Sequence, residues 1–255
     1  MQKNDTQLVS PVDIAVALVL LTRLPLPALQ DDAFKRQAKA TWAFPLAGLA
    51  IAGLACLAGA LALFLGLPAS VAAGLILTVQ VLTTGAMHED GLSDVADGFW
   101  GGFTPERRLE IMKDSRIGAY GVLALVLSIG LRWSAFATLI PVAGLTPLLV
   151  AAILSRSVMP VLMVALPNAR GSGLSSSVGS PPWISVFLGL GLALLLSASM
   201  IGAPLSLAAF LSGGLTLFGY AAVARVKIGG QTGDVLGGAQ QLVEITILLT
   251  ILAAG

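Results

Sequence analysis

Charge is what this chain has least of: 11% of its 255 residues are Asp, Glu, Lys or Arg, where a soluble domain carries roughly a quarter. Together with a hydrophobic content of 56%, that scarcity excludes an ordinary soluble domain and leaves an integral membrane protein. There is one cysteine, Cys56, inside an apolar run, which excludes a disulfide framework and a thiolate metal site and marks Cys56 as packing. There is one histidine, His88, and no HExxH, so neither a zinc-protease motif nor a Ser-His-Asp constellation can be argued. No basic patch interleaved with aromatics occurs and the net charge is +1, so no nucleic-acid partner is expected. The opening MQKNDTQLVSPVD lacks the basic, apolar and small-residue order of a secretory leader, and insertion is expected to be directed by the spans themselves.

What is present is a series of long apolar runs. The run at 14–21 is too short to cross a bilayer and is expected to lie in the interface or dip into it. Pro25 and Pro27 then stop any helix. Spans are expected at 41–65, 69–87, 119–139, 146–166, 183–201, 204–224 and 236–254. The fold class is therefore all-α and transmembrane, one polytopic domain over 1–255 with about seven membrane helices, roughly six to eight allowing for uncertain boundaries. The loops near Gly66, Pro141 and Gly202 carry no charge, whereas the N-terminal segment, the 88–118 stretch and the loops with Arg170 and with Arg225 and Lys227 are charged. That alternation puts the N-terminus and the charged, catalytic loops in the cytoplasm and the C-terminus outside.

The stretch HEDGLSDVADGFWGGFTPERRLEIMKDSRIG, 88–118, holds seven of the thirteen acidic residues. Asp90, Asp94 and Asp97 stand at i, i+4 and i+7, so on a helix their carboxylates share one face. Three anions that close call for a cation, and an all-oxygen carboxylate set points first to Mg²⁺, with Mn²⁺ or Ca²⁺ behind it; a solvated acidic loop is the plainer alternative. Further along, 105–112 reads as a short amphipathic segment whose Leu109 and Met112 rest on the membrane. Lys113 and Arg116 are then expected to hold substrate phosphate, with Asp114 joining or orienting the metal site, against a plain positive-inside cluster.

Residues 119–255 contain two acids, Asp234 and Glu244, in or just after GGQTGDVLGGAQQLVE. Gly229, Gly230 and Gly233 allow a backbone to approach a ligand closely, and Asp234 is expected to cap the final helix. Glu244, Arg156 and Arg132 lie within apolar helices, where ionisable groups are costly and point to function; for Arg132, nearer a span end, snorkelling is the plainer alternative. The run GSGLSSSVGSPP reads as a flexible loop. His88 reads as a general base, an interfacial residue or a holder of a carboxylate.

Clustered carboxylates, a divalent cation, arginines and a glycine-rich turn on one membrane face are what phosphoryl transfer on a diphosphate needs: the metal neutralises phosphate oxygens and guanidinium forks hold them. At this point the residues resemble a known family. LLTRLPLP at 20–27, FPLAG at 44–48, HEDGLSDVADG at 88–98, RRLEIMKDSRIGAYG at 107–121, Ser155-Arg156, ARGSGL at 169–174 and GGQTGDVLGGAQQLVE at 229–244 are similar, in order, to the cobalamin 5'-phosphate synthase family, the adenosylcobinamide-GDP ribazoletransferases. Glu89 departs from the apolar residue expected there, and the surroundings of Gly238 look altered. The resemblance implies an enzyme of a bacterial or archaeal cytoplasmic membrane. In it the ribose hydroxyl of α-ribazole 5'-phosphate displaces GMP from adenosylcobinamide-GDP to form adenosylcobalamin 5'-phosphate, a late step of vitamin B12 assembly, with Mg²⁺ as the metal. It implies Asp90, Asp94 and Asp97 as catalytic metal ligands with Asp234, and Lys113, Asp114, Arg116, Arg23, Arg156, Arg170, Thr232, Glu244 and His88 as substrate-binding residues. A homo-oligomer, or a complex with other late cobalamin-assembly enzymes, stays open as a partnership.

Two other readings remain. Asp94-Val95-Ala96-Asp97-Gly98 resembles the start of the CDP-alcohol phosphotransferase motif, but the rest of that motif is missing. A cation-coupled transporter would place its acids near the bilayer midplane rather than at one face. Spatially, Asp234 is expected to lie against the 90–97 cluster, with Glu244 behind it in the same helix.

Overall fold

The structure, a computed structural model, describes residues 7–254. Residues 1–6, which carry part of the opening read for a leader, lie outside the described residues. Helix α1 (Pro11–Leu21) comes first, then a short α2 (Asp31–Phe34) and a 3-10 turn, Lys39–Ala43, leading into α3 (Phe44–Phe64). The chain continues through α4 (Ala69–Thr84), α5 (Met87–Gly101), α6 (Pro105–Ile111), α7 (Ala119–Ala143), α8 (Thr146–Ser157) and α9 (Met159–Ala165). It ends with α10 (Leu174–Val178), α11 (Trp183–Ile201), α12 (Ala203–Ile228) and α13 (Gly233–Ala254).

Among the described residues, six spans are long and apolar enough to cross a membrane: Lys39–Phe64, Ala119–Ala143, Thr146–Ala165, Trp183–Ile201, Ala203–Ile228 and Gly233–Ala254. A seventh is available if α4 and α5 form one broken span, bent by 86°. The chain is thus a multi-pass α-helical membrane protein. Large apolar side chains such as Leu61, Leu127, Phe187, Leu215 and Phe218 face outward, as a lipid-facing belt requires and a water-facing surface would not tolerate.

The span expected to run to residue 87 stops at Thr84. Gly85 adopts φ 65° and Ala86 φ 59°, left-handed values that glycine takes freely and alanine only at a cost of about 1–2 kcal/mol. These two residues make the sharp turn. The backbone N–H of Arg23, just after α1, donates to the Thr83 carbonyl at 2.7 Å, and the Arg23 side chain lies where a β-carbon on Gly85 would be. The proline-containing 22–27 segment therefore pins the bend from outside.

The acidic stretch is helical rather than a loop, as α5 and α6. Met112 does not rest on the membrane: it is 2% exposed and packs over Gly98, where a β-carbon would collide with it. Leu109 packs against the same core. Arg108 fixes α6 to the end of α12, its guanidinium donating to the Lys227 carbonyl at 2.8 Å, a basic group at a helix C-terminus. Lys227 in turn sits over the Trp100 ring, 5.0 Å from its centroid.

Helix α1 is anchored by a buried acid. Asp13 accepts from Arg36 through both carboxylate oxygens, at 2.7 and 2.9 Å, and from the Trp42 indole at 2.9 Å. Paired this way, a fully buried carboxylate is tolerated.

Candidate active site

Helix α5 carries Asp90, Asp94 and Asp97 along one side, as their spacing requires, yet in three surroundings: exposed, half-buried and buried. Asp97 accepts from the Gly118 N–H at 2.7 Å and the Gly121 N–H at 2.9 Å. Those donors belong to the first turn of α7, so Asp97 caps a neighbouring helix, with its charge at that helix's positive end. A β-carbon on either glycine would collide with the carboxylate. The glycines of SRIGAYG therefore make room for Asp97, whose oxygens are already engaged where those of Asp90 and Asp94 are free to face a ligand.

The start of α13 reverses an expectation. Thr232, not Asp234, caps the helix: its hydroxyl accepts from the Val235 N–H at 3.3 Å, the usual N-cap bond. Thr232 is buried and serves this turn. The Asp234 carboxylate, released from capping, meets Arg170 at 2.8 Å. Arg170 is delivered by a tight turn in which the Asn168 side chain accepts from the Arg170 and Gly171 N–H groups at 3.0 and 2.7 Å. That turn is laid on the start of α13 by Gln231, whose N–H donates to the Pro167 carbonyl and whose carbonyl accepts from Ala169, both at 2.9 Å.

The two acidic motifs, far apart in sequence, meet as expected. A β-carbon on Gly91 would lie 2.7 Å from the Asp234 carbonyl oxygen, so α5 and α13 touch backbone to backbone next to Asp90. Gly237 likewise abuts the His88 backbone, the close packing that small residues permit between membrane helices. Asp94 feels the charges of Asp90, Asp234 and Asp97 as repulsion and that of Arg170 as attraction.

Among the described residues no three Asp, Glu, His or Cys side chains close into a cage for a metal ion. The donor chemistry of Asp90, Asp94 and Asp234 nonetheless fits a hard cation, because Mg²⁺ is ordinarily held by one or two carboxylates completed by waters and substrate phosphates. Arg170 is the cation that already answers part of this negative charge.

Two cavities share Asp90. One, of about 230 Å³, lies against α1, α9, α10 and α13, and Asp90, Arg170 and Asp234 stand at its polar side. Its lining includes Ser172 and Ser175 from the run expected to be a flexible loop, part of which forms the short helix α10. The other, of about 460 Å³, has Asp90, Asp94, Lys113, Asp114 and Arg116 on its wall. Asp114 and Arg116 pair at 2.6 Å on the rim, and hydrogen bonds from Arg116 hold the Asp114 carboxyl down to about 2. Arg23 lines a further hollow with Thr84, Met87 and Leu174, the last two shared with the smaller cavity, and no carboxylate lines that hollow.

Beneath the acids lies a buried polar network. Arg132, 1% exposed, does not snorkel: it donates to Glu89 at 2.8 Å, to Gln241 at 2.8 Å and to Gln80 at 2.8 Å, and meets Glu244 at 3.2 Å. Arg156 lies 3.7 Å from Glu244, which also accepts from Gln240. Two guanidinium and two carboxylate groups balance in charge, as burial demands. Arg156 and Glu244, read from sequence as substrate contacts, line neither cavity next to the acids; they hold α7, α8 and α13 together. His88 is 1% exposed and forms part of the wall between this network and the smaller cavity. Sequence reasoning left the role of Glu89 open and missed Gln80, Gln240 and Gln241. The available signal was the amide side chains inside otherwise apolar helices.

Fold and site together define a polytopic α-helical membrane protein with an acidic, arginine-rimmed site between two cavities. The family model described as cobalamin-5-phosphate synthase matches residues 13–252. A relative named adenosylcobinamide-GDP ribazoletransferase from Bradyrhizobium diazoefficiens is 43% identical over 242 residues, covering 94% of this chain and 93% of the relative. Relatives of the same name from Mesorhizobium japonicum, at 44% identity with 93% and 91% covered, and from Brucella anthropi, at 45% with 95% and 96% covered, agree. The chain belongs to the cobalamin-5-phosphate synthase family. No solved structure matches it.

Proposed function

We propose that this chain is a membrane-embedded transferase that joins adenosylcobinamide-GDP and α-ribazole 5'-phosphate, giving adenosylcobalamin 5'-phosphate and GMP, with its site open to the cytoplasm of a bacterial or archaeal cell. The observation that carries the reading is the meeting of Asp90 and Asp94 with Asp234 and Arg170 between two cavities, in a chain of this family. The ribose hydroxyl attacks the phosphorus that bears the cobinamide. A P–O bond to the ribazole forms as the P–O bond to GMP breaks, GMP keeps the bridging oxygen, and the hydroxyl proton passes to a carboxylate of the cluster.

Asp90, Asp94 and Asp234 would hold Mg²⁺, which when bound supplies neutralisation of the diphosphate oxygens. Arg170 orients a phosphate with its planar fork, while Lys113 and Arg116 attract the nucleotide end. Asp97 keeps α5 and α7 in register so that the acids face the reaction. The position of the acids at one end of the bundle, beside the charged loops, supports the cytoplasmic orientation and speaks against a midplane ion path. The test is GMP release by the purified protein given both substrates, with and without Mg²⁺. No release under any divalent cation overturns the reading.

A further inference from the structure

The smaller of the two cavities at Asp90 is unlike a phosphate site over most of its wall. Leu20, Phe44, Met159, Met163 and Val178 line it, and of its charged residues Arg170 and Asp234 are paired at 2.8 Å, with the Asp234 backbone packed on Gly91 next to Asp90. At about 230 Å³ it is below the ~300–1,000 Å³ of pockets that enclose a whole drug-sized ligand, which suits one bicyclic ring system and excludes a corrinoid. The larger cavity, which shares Asp90, carries the exposed Lys113 and Arg116 instead.

Resting on the activity proposed above, we propose that the apolar cavity seats the benzimidazole-type base of the ribazole substrate, so that the two substrates approach Asp90 from opposite sides. The alternative bicyclic ring is guanine, whose edge carries several hydrogen-bond donors and acceptors. Burying those against leucine, phenylalanine and methionine leaves them unpaired, at about 1–3 kcal/mol for each group. A benzimidazole presents two apolar faces and a carbon edge, and that wall accepts it. Methionine, unbranched and polarizable, packs well against an aromatic face. Of the two serines in the lining, Ser175 is already committed, donating to Gln231 at 2.6 Å, and Ser172 is exposed. The unpartnered Nε2 of His88 offers one polar atom, enough for the single free ring nitrogen of a benzimidazole but not for the edge of guanine.

The placement also satisfies the reaction's geometry. With the base in the apolar cavity, the sugar and its phosphate extend toward Arg170 and Asp234, and the ribose hydroxyl is presented beside Asp90. The GDP-linked substrate, entering from the Lys113 and Arg116 side, offers its phosphorus to that hydroxyl with GMP departing away from it, the in-line arrangement that displacement needs.

The experiment measures the two Michaelis constants separately in the purified, Mg²⁺-supplied protein. Met163→Trp, which fills the cavity, should raise the KM for α-ribazole 5'-phosphate by about tenfold or more, with the KM for adenosylcobinamide-GDP unchanged. Should Met163→Trp fail to fold, Val178→Phe serves in its place. In the unaltered protein, free 5,6-dimethylbenzimidazole should inhibit competitively against the ribazole phosphate and not against the GDP-linked substrate, and guanine should not inhibit. A rise confined to the KM for adenosylcobinamide-GDP, or competition of the free base with that substrate, overturns the assignment. Absence of GMP release by the unaltered protein would instead overturn the activity on which it rests, so the two failures are told apart.

Discussion

Asp97 of α5 holds the N–H of Gly121 in α7 at 2.9 Å, a bond between two helices that also supports the site. Removing the charge weakens a charge-assisted pair of bonds worth about 1.5–3 kcal/mol each to stability. Asp97→Asn is expected to lower the thermal midpoint in detergent and to reduce turnover in parallel. Gly121→Ala should do the same, because its new methyl group displaces the carboxylate. A large rate loss with unchanged thermal stability would show that Asp97 acts on the reaction directly.

Asp90, Asp94 and Asp234 should behave in the opposite way. Asn at any of these positions keeps size and removes charge, and the rate of GMP release should fall by about 100-fold or more while membrane insertion and thermal midpoint stay near normal. A near-normal rate in two of the three Asn variants would sink the assignment.

Chelation is expected to abolish GMP release, and Mg²⁺ to restore it, with Mn²⁺ as a substitute. The midpoint of the Mg²⁺ titration should move to higher concentration in Asp234→Asn. An unchanged rate in excess chelator contradicts the metal assignment.

At the rim, Arg116 holds the Asp114 carboxyl below its ordinary range, to about 2. The folded value is depressed, so the pair is present throughout the working range and is lost only as pH falls through about 2. Asp114→Asn should therefore leave the acidic limb of the pH–rate profile in place. Arg116→Ala should raise the KM for the GDP-linked substrate, and if neither that constant nor turnover changes, the rim is only a positive-inside cluster.

Arg132 is expected to be the most costly single change. Arg132→Met removes the cation that Glu89 and Glu244 share and leaves two buried carboxylates against Arg156 alone, at about 3–5 kcal/mol. The yield of folded protein should drop sharply, and Glu244→Gln in the same chain should recover part of it. Equal yields for the single and double variants would contradict the charge-balance account.

The span pattern, the helical face of carboxylates and the meeting of Asp234 with that face were legible because composition, periodicity and charge alternation report them directly. The bend at Gly85 and Ala86 was not, since TTGAMHED carries one glycine and no proline to mark so sharp a turn. The capping role was assigned to Asp234 rather than Thr232 because both are good N-cap residues two positions apart, and only the observed helix start decides. The apolar cavity left no trace in the sequence either. Met159 and Met163 read the same whether they face lipid, a core or a ligand, and their function depends on α1 and α10 being folded against them.

The buried quartet of Arg132, Glu89, Glu244 and Arg156 also sets a condition on biogenesis. Its members come from α5, α7, α8 and α13, and half of its negative charge arrives with the last helix. Until α13 enters the bilayer, the nascent bundle holds two arginines against one acid in a medium that penalises unpaired charge. Assembly is therefore completed from the C-terminus. A chain truncated before Glu244 is left with one uncompensated positive charge inside the membrane.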